Sequence, residues 1–333
     1  MKRIMLSQGG GGEETQKLIK ELFFKYFDNE ILLKMEDAAV LTMQSKKIAF
    51  TTDSYTVSPI FFNGGNIGKL AISGTVNDVA MMGAKPLYLT CSFMIEEGFA
   101  YDDLVTIVKS MSEELKVSGA KIVAGDTKVV PKGSVDGLFI NTSGIGELMV
   151  ENISAHNLAQ GDSIIVSNEV GNHGACILAK REDIGLDSGL KTDCATLWPM
   201  IEALIKEGIK IKSLRDATRG GLSAVLNEWC ETSHVSIEVN EDQIPVADEV
   251  KGICEMLGFE PYELANEGTM IICVEAGEED KALQILRRFE KSAKASFIGK
   301  VSHKYNDKVI LNTPWGSSRY LEPPKGELLP RIC

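Results

Sequence analysis

The segment from Ile67 to Ala84, IGKLAISGTVNDVAMMGA, sets the tightest limit on the fold. It reads as a helix, and its small residues leave little side chain between its backbone and whatever lies beside it. Such a helix is expected inside the molecule, close to other backbone. Strand-like segments flank it: KIAFTTD before it, ending at Asp53, and LYLTCSFMI after it. An amphipathic helix, YDDLVTIVKSMSEELKVSG, and two further strands, KIVAGDT and DGLFINTSGIGEL, follow. Upstream, the run Gly9–Gly12 precedes EETQKLIKELFFKYF. There Leu18, Leu22, Phe23 and Tyr26 fall at helical spacing, and Glu13 and Glu14 occupy the first turn, as the helix dipole prefers.

The pattern loosens around ENISAHNLAQGDS, which places a domain boundary near residue 155. A chain of 333 residues also exceeds the ~250–300 that one hydrophobic core usually holds. The second half runs through strand SIIVS, helices near 173–181 and 194–207, helix TRGGLSAVLNEWCE and strand VSIEV. Helix 246–257, strand TMIICVEA, helix EEDKALQILRRFEKS and strands near 295–301 and 308–312 complete it. Neither half keeps a strict strand–helix–strand rhythm, so the expected class is α+β, with mixed α/β domains over 1–155 and 156–320. Pro323, Pro324 and Pro330 exclude helix from LEPPKGELLPRIC, leaving 321–333 as a flexible tail that carries Cys333.

The net charge of −12, from 47 acidic and 35 basic side chains, argues against nucleic acid or an anionic membrane as the main partner. No apolar run approaches the ~20 residues needed to cross a bilayer, and no signal-peptide core follows Met1-Lys2-Arg3, so a cytoplasmic chain is expected. The 7 cysteines include no CxxC pair, which disfavours a structural zinc site, and in that compartment they read as free thiols. Cys91, Cys176, Cys254 and Cys273 sit in apolar runs and suit a core. Cys333, after three prolines, does not.

Carboxylates recur after strands or beside small residues: Glu36-Asp37, Asp53, Asp78 after Asn77, Asp126, and Asp216 after Arg215. One such residue is usually a cap or turn. Several together also fit Mg²⁺, which takes a few carboxylates plus substrate phosphates, and on these residues alone the two readings stand even. Gly9–Gly12 and Gly64–Lys69 offer backbone amides to a phosphate but carry no Walker or dinucleotide signature, so tail and turn are their plain readings. RDATRGG puts Arg215 and Arg219 ahead of a helix expected from about Thr218, which suits phosphate oxygens, although an Arg–Asp ion pair explains part of the same pattern. Lys128 in GDTKVV, Glu267 in LANEG and His173 in GNHGA are further candidates; their plain readings are a loop lysine, a turn carboxylate and a structural histidine.

Taken together, TTDSYTVSPIFFNGGNIGKLAISGTVNDVAMMGAKP, GDTKVV, RDATRGGLSAVLNE, LANEG and PRIC resemble the carbamoyl dehydratases of nickel–iron hydrogenase maturation. These form the HypE family, within the superfamily of aminoimidazole ribonucleotide synthetase. The match runs in order along nearly the whole chain. The resemblance implies a homodimer whose N-terminal sheets close a shared barrel, with ATP and Mg²⁺ as cofactors. It implies a reaction on Cys333 itself. A partner carbamoyltransferase loads a carbamoyl group onto the thiol, ATP-dependent loss of water turns it into a thiocyanate, and the cyano group passes to iron on a partner scaffold complex. It implies Asp37, Asp78 and Asp216 as metal ligands, and Asp53, Asn77, Asp126 and Arg215 at the nucleotide. Lys128 and Glu267 would handle the carbamoyl group that Cys333 carries. Gln8, Glu36 and Thr196 depart from residues common in the family. Selenophosphate synthetase, a sister activity, would want a reactive cysteine in residues 1–12, which hold none.

Overall fold

The computed structural model describes every residue except 1, 10–12, 35–38, 40, 182–188 and 325–330. Glu36, Asp37 and most of the Gly9–Gly12 run therefore lie outside the described residues. The N-terminal half begins with α1 (Glu13–Leu18), which continues through a π-helical turn, Ile19–Phe23, into α2 (Phe24–Tyr26). Then come β1 (Ile48–Tyr55), the two-residue strands β2 (Phe61–Phe62) and β3 (Gly65–Asn66), and α3 (Ile67–Met81). β4 (Ala84–Glu96), α4 (Tyr101–Ser118), β5 (Lys121–Val130) and β6 (Leu138–Leu148) complete this half.

Helix α3 is the small-residue helix expected from the sequence, and almost all of it is out of solvent. Asn66 caps it, its Oδ1 accepting from the amides of Gly68 at 2.9 Å and Lys69 at 3.1 Å. The helix lies so close to α4 that a Cβ on Gly68 would sit 2.6 Å from the Ile107 carbonyl. The sheet beside it has the order β1–β6–β4–β5, antiparallel except for the parallel pair β4–β5. One face packs on the helices, while the other leaves Ile48, Phe50 and Met94 exposed. The sheet is open, with β1 and β5 as its edges, so no barrel closes within one chain.

The C-terminal half runs β7 (Ser163–Val166), α5 (Asn172–Arg181), α6 (Trp198–Lys206), β8 (Ile211–Asp216), α7 (Gly221–Ser233) and β9 (Ser236–Asn240). It continues with α8 (Asp248–Leu257), β10 (Met270–Val274), α9 (Glu279–Leu286), β11 (Ser296–Ser302), β12 (Val309–Asn312) and β13 (Ser318–Tyr320). Among the described residues the strands form one sheet, ordered β13–β12–β9–β11–β7–β10–β8. Strands β7 and β10 are buried along their whole length. Ile165, Met270 and Ile272 face a core shared with α5, α6, α9 and the N-terminal half, whereas Ile164, Val166, Ile271 and Cys273 pack on Leu222, Leu226 and Trp229 of α7. Burial on both faces explains why these strands read as continuous apolar runs rather than alternating ones.

Helix α7 begins at Gly221 rather than at Thr218. Gly220 and Gly221 take φ of +67° and +59°, and a Cβ on Gly221 would lie 2.5 Å from the Tyr262 carbonyl, so RGG is a left-handed turn that only glycine fits. The end of the expected flexible tail is docked. Ile332 is 9% exposed and joins the main core, while the Thr56 and Ser58 amides donate to the backbone oxygens of Cys333 at 3.0 Å and Arg331 at 3.2 Å. No described helix is long and apolar enough to cross a membrane.

Candidate active site

A cleft of about 790 Å³ opens between the two halves, walled by β1, α3, the turn from β8 to α7, and the segment before β10. Asp53, Asp78, Asp216, Arg219, Glu267 and Cys333 all line it. Asp53 lies near the end of β1. Asp78 projects from α3, and Thr51 of β1 donates to its Oδ2 at 2.8 Å. Asp216 is the last residue of β8, opposite Met270 of β10. Arg219, in the glycine turn that follows, reaches within 3.7 Å of Asp53 Oδ1.

Glu267 is fixed through its backbone. Asp193 accepts from the Glu267 amide through Oδ1 and from the Gly268 amide through Oδ2, each at 3.0 Å. That approach needs glycine at 268, where a Cβ would fall 1.9 Å from the Asp193 carbonyl oxygen. The Glu267 side chain is 2% exposed, and its Oε1 has no hydrogen-bond partner.

Negative charge is in excess here, and the titration behaviour follows. Burial, then Asp216 and Asp53, push the Asp78 carboxyl up. Burial also raises Asp216, against the pull of Arg215. Burial and then the Asp216 and Asp193 carboxylates hold Glu267 well above the usual carboxylate range. The Cys333 thiol is pushed up to about 11 by burial and then by Glu267, with Arg219 opposing. It sits in the cleft as a neutral thiol rather than a thiolate.

The structure does not bring every sequence candidate to this cleft. Arg215 lines it and pairs with Glu228 at 3.2 Å. Asn77 is buried, and both ends of its amide hold the second half of the chain: Nδ2 donates to Ala195 O at 3.0 Å and Oδ1 accepts from the Leu197 amide at 2.8 Å. Asp126 and Lys128 pair with each other at 2.8 Å on β5, opposite Ser92 and Met94 of β4. They belong to the far edge of the sheet from β1, so Lys128 does not meet Glu267 or Cys333 within one chain. Asp37 falls outside the described residues. Among the described residues no group of three or more acidic, histidine or cysteine side chains is gathered as a ready-made metal shell.

Thr51 and Asp193 carry site geometry that the sequence did not single out. Thr51 sits two residues before Asp53 in a plain strand, and Asp193 in the unremarked loop KTDCA. Nothing in either stretch marks the residue, because the partners are distant in sequence.

Residues 35–148 match the AIR synthase related protein N-terminal domain, and residues 159–312 its C-terminal domain. The chain is 44% identical to the carbamoyl dehydratase HypE of Escherichia coli (strain K12), over 100% of both chains. A crystal structure of hydrogenase maturation protein HypE in complex with ATP superposes with a TM-score of 0.95 at 41% identity, covering 99% of each chain. A HypE–HypF complex gives a TM-score of 0.81 at 48% identity, covering 92% of this chain and 99% of that one. The chain therefore belongs to the HypE carbamoyl dehydratase family, within the AIR synthase related superfamily.

Proposed function

We propose that the chain dehydrates an S-carbamoyl group on its own Cys333 to an S-cyano group, at the expense of ATP, in hydrogenase maturation. The overall change is R–S–C(=O)–NH₂ plus ATP giving R–S–C≡N, ADP and phosphate. The C–O bond breaks, and both N–H protons leave. The observation that carries this reading is that Cys333 lies in the same cleft as Glu267, Asp53, Asp78 and Asp216.

Mg²⁺ fits the cleft because its carboxyls raise one another's pKa and a cation would relieve that repulsion. Asp78 and Asp216 would hold it, with Asp37 as a further proposed ligand; Asp53 and Arg215 would face the nucleotide. Bound ATP supplies the phosphoryl group that makes the amide oxygen a leaving group, with Mg²⁺ offsetting its charge.

Glu267 is suited to take the departing protons. It is dry and has a free Oε1, and neighbouring carboxylates are part of what keeps it protonated. A cation held beside Asp216, Asp78 and Asp53 would relieve part of what raises Glu267, and its free Oε1 would then be able to take a proton. Burial and Glu267 both disfavour the thiolate in its seat, which favours loading by a partner carbamoyltransferase outside this cleft; the HypE–HypF complex supports that partner. An iron-carrying scaffold complex then accepts the cyano group.

Asp126 and Lys128 remain proposed site residues, but from a second copy. The exposed sheet face bearing Ile48, Phe50 and Met94 is the surface on which two chains would pair. Asn77 would serve by holding the Ala195–Leu197 segment rather than by touching nucleotide.

The test is the intact mass of the protein after incubation with carbamoyltransferase, carbamoyl phosphate and ATP. The expected product has gained a carbamoyl group and then lost one water at the Cys333 peptide. A carbamoylated protein that keeps its water with Mg²⁺ and ATP present would overturn the reading.

A further inference from the structure

His173 is fully buried, and both ring nitrogens are engaged. Nε2 lies 2.9 Å from the Ile332 carbonyl, which can only accept, so Nε2 carries the proton. Nδ1, 2.8 Å from Thr192 Oγ1, is then the acceptor, and the hydroxyl donates to it. The same hydroxyl oxygen accepts from the Cys194 amide at 3.0 Å. The ring meets Phe62 edge-on, with centroids 5.4 Å apart and planes at 88°, so its orientation is held from the side as well. The relay therefore has one consistent direction, from Cys194 N–H through Thr192 and His173 to Ile332.

Two features give this relay a meaning beyond packing. The carbonyl it holds belongs to the peptide that joins Ile332 to Cys333, the residue bearing the thiol. The loop that orients the ring also holds Glu267: Asp193 accepts from the Glu267 and Gly268 amides, and the Ala195 amide donates to Glu267 O at 3.3 Å. Residues 192–195 thus touch Glu267 directly and reach the Cys333 peptide through His173.

We propose that His173 is a positioning residue that seats the Cys333 peptide against the same loop that places Glu267. The Cys333 peptide and the Glu267 carboxyl are then tied to one another through one short segment of the C-terminal half, in addition to the Thr56 and Ser58 backbone bonds that hold this end from the N-terminal half. The Ile332 side chain, packed in the core, supplies grip without direction; the His173 N–H adds a directed bond on the Glu267 side to those from Thr56 and Ser58. This inference rests on the reading that Cys333 is the reacting group, but its first readout does not need that reading.

The experiment measures iodoacetamide alkylation of Cys333 in the full-length protein, by mass of the C-terminal peptide, for wild type, His173→Leu, Thr192→Val and Thr192→Ser. Loss of one directed hydrogen bond should raise alkylation about tenfold in His173→Leu and Thr192→Val, equivalent to ~1.4 kcal/mol. Thr192→Ser keeps the hydroxyl and should stay at the wild-type rate. In the first two variants carbamoyl acceptance should persist while ATP-dependent dehydration falls at least about tenfold. Wild-type alkylation of Cys333 in folded Thr192→Val would overturn the proposal, and because Thr192 is only half-buried this arm decides even if His173→Leu does not fold. Faster alkylation in the variants, with no dehydration in any protein including wild type, would support the seat while the dehydratase reading fails.

Discussion

Thr51 donates a 2.8 Å hydrogen bond to Asp78, so strand β1 aims a carboxylate of helix α3 into the cleft. Asp78→Ala should weaken Mg²⁺-dependent ATP binding at least about tenfold, or ~1.4 kcal/mol, by removing a charged contact. Its melting temperature should hold or rise slightly, because one of several mutually repelling buried carboxyls is gone. Titration calorimetry and a thermal melt check both halves, and unchanged affinity would refute the metal assignment.

The raised carboxyls make stability depend on pH in a defined direction. Asp78, Asp216 and Glu267 bind protons more tightly folded than unfolded, where carboxyls titrate near ~4. The native state therefore holds more protons, and its stability is full below that value and falls as pH rises through the folded pKa values. Without divalent cation, the melting temperature should drop between about pH 4.5 and 7.5 through these groups. Mg²⁺ should reduce the drop, and Asp78→Asn should flatten part of it. A melting temperature that rises across this window in EDTA, with Asp78→Asn leaving the slope unchanged, would count against the assignment.

Asp193→Ala removes the acceptor of two backbone amides beside Glu267. The expected loss is ~1.5–3 kcal/mol of stability, since hydrogen bonds to a charged group are among the stronger ones. ATP affinity should be retained while dehydration fails, because the phosphate-facing carboxyls lie on other elements. Equal loss of both would show that Asp193 supports the whole cleft rather than Glu267.

Much of this was legible in the sequence, and the rest was hidden for a physical reason. The buried helix Ile67–Met81 could be read from its small residues, and Asp216 and Glu267 from the short motifs RDATRGG and LANEG. Each depends on local pattern. The family resemblance of GDTKVV groups Asp126 with the nucleotide and Lys128 with Glu267 and Cys333. Which edge of a sheet a strand takes is decided by pairing, and the order β1–β6–β4–β5 puts GDTKVV and TTDS on opposite edges. The resemblance implies Asn77 at the nucleotide next to Asp78, yet successive helical residues point in different directions, and Asn77 faces the second half of the chain. The His173–Ile332 contact joins residues 159 apart, a separation at which no local pattern has a signal.

The exposed sheet face makes a prediction about assembly. Phe50 is 66% exposed, with Ile48 at 49% on the same strand face and Met94 at 46% nearby. Three large apolar side chains on an open sheet are the surface on which two chains would pair. Phe50→Glu should convert a dimer to monomer in sedimentation at micromolar concentration while the far-UV spectrum is unchanged. A wild-type protein that sediments only as the 36.3 kDa chain would overturn the dimer outright.

Cys333→Ala separates the carrier from the cleft around it. Ile332 and the backbone bonds from Thr56 and Ser58 anchor this end of the chain, and none uses the sulfur. The substitution should leave the melting temperature within a degree or two and ATP binding intact. It should abolish any gain of mass from carbamoyl phosphate and the carbamoyltransferase, because alanine offers no nucleophile. In the wild type the seated thiol, pushed up to about 11, should alkylate slowly at neutral pH and about tenfold faster per pH unit up to that value. On the proposed route, in which the partner takes the thiol out of the cleft, carbamoylation should not share that steep dependence. If enzymatic loading tracked the alkylation profile step for step, the thiol would be reacting from its seat, and loading and dehydration would have to take place in the same cleft.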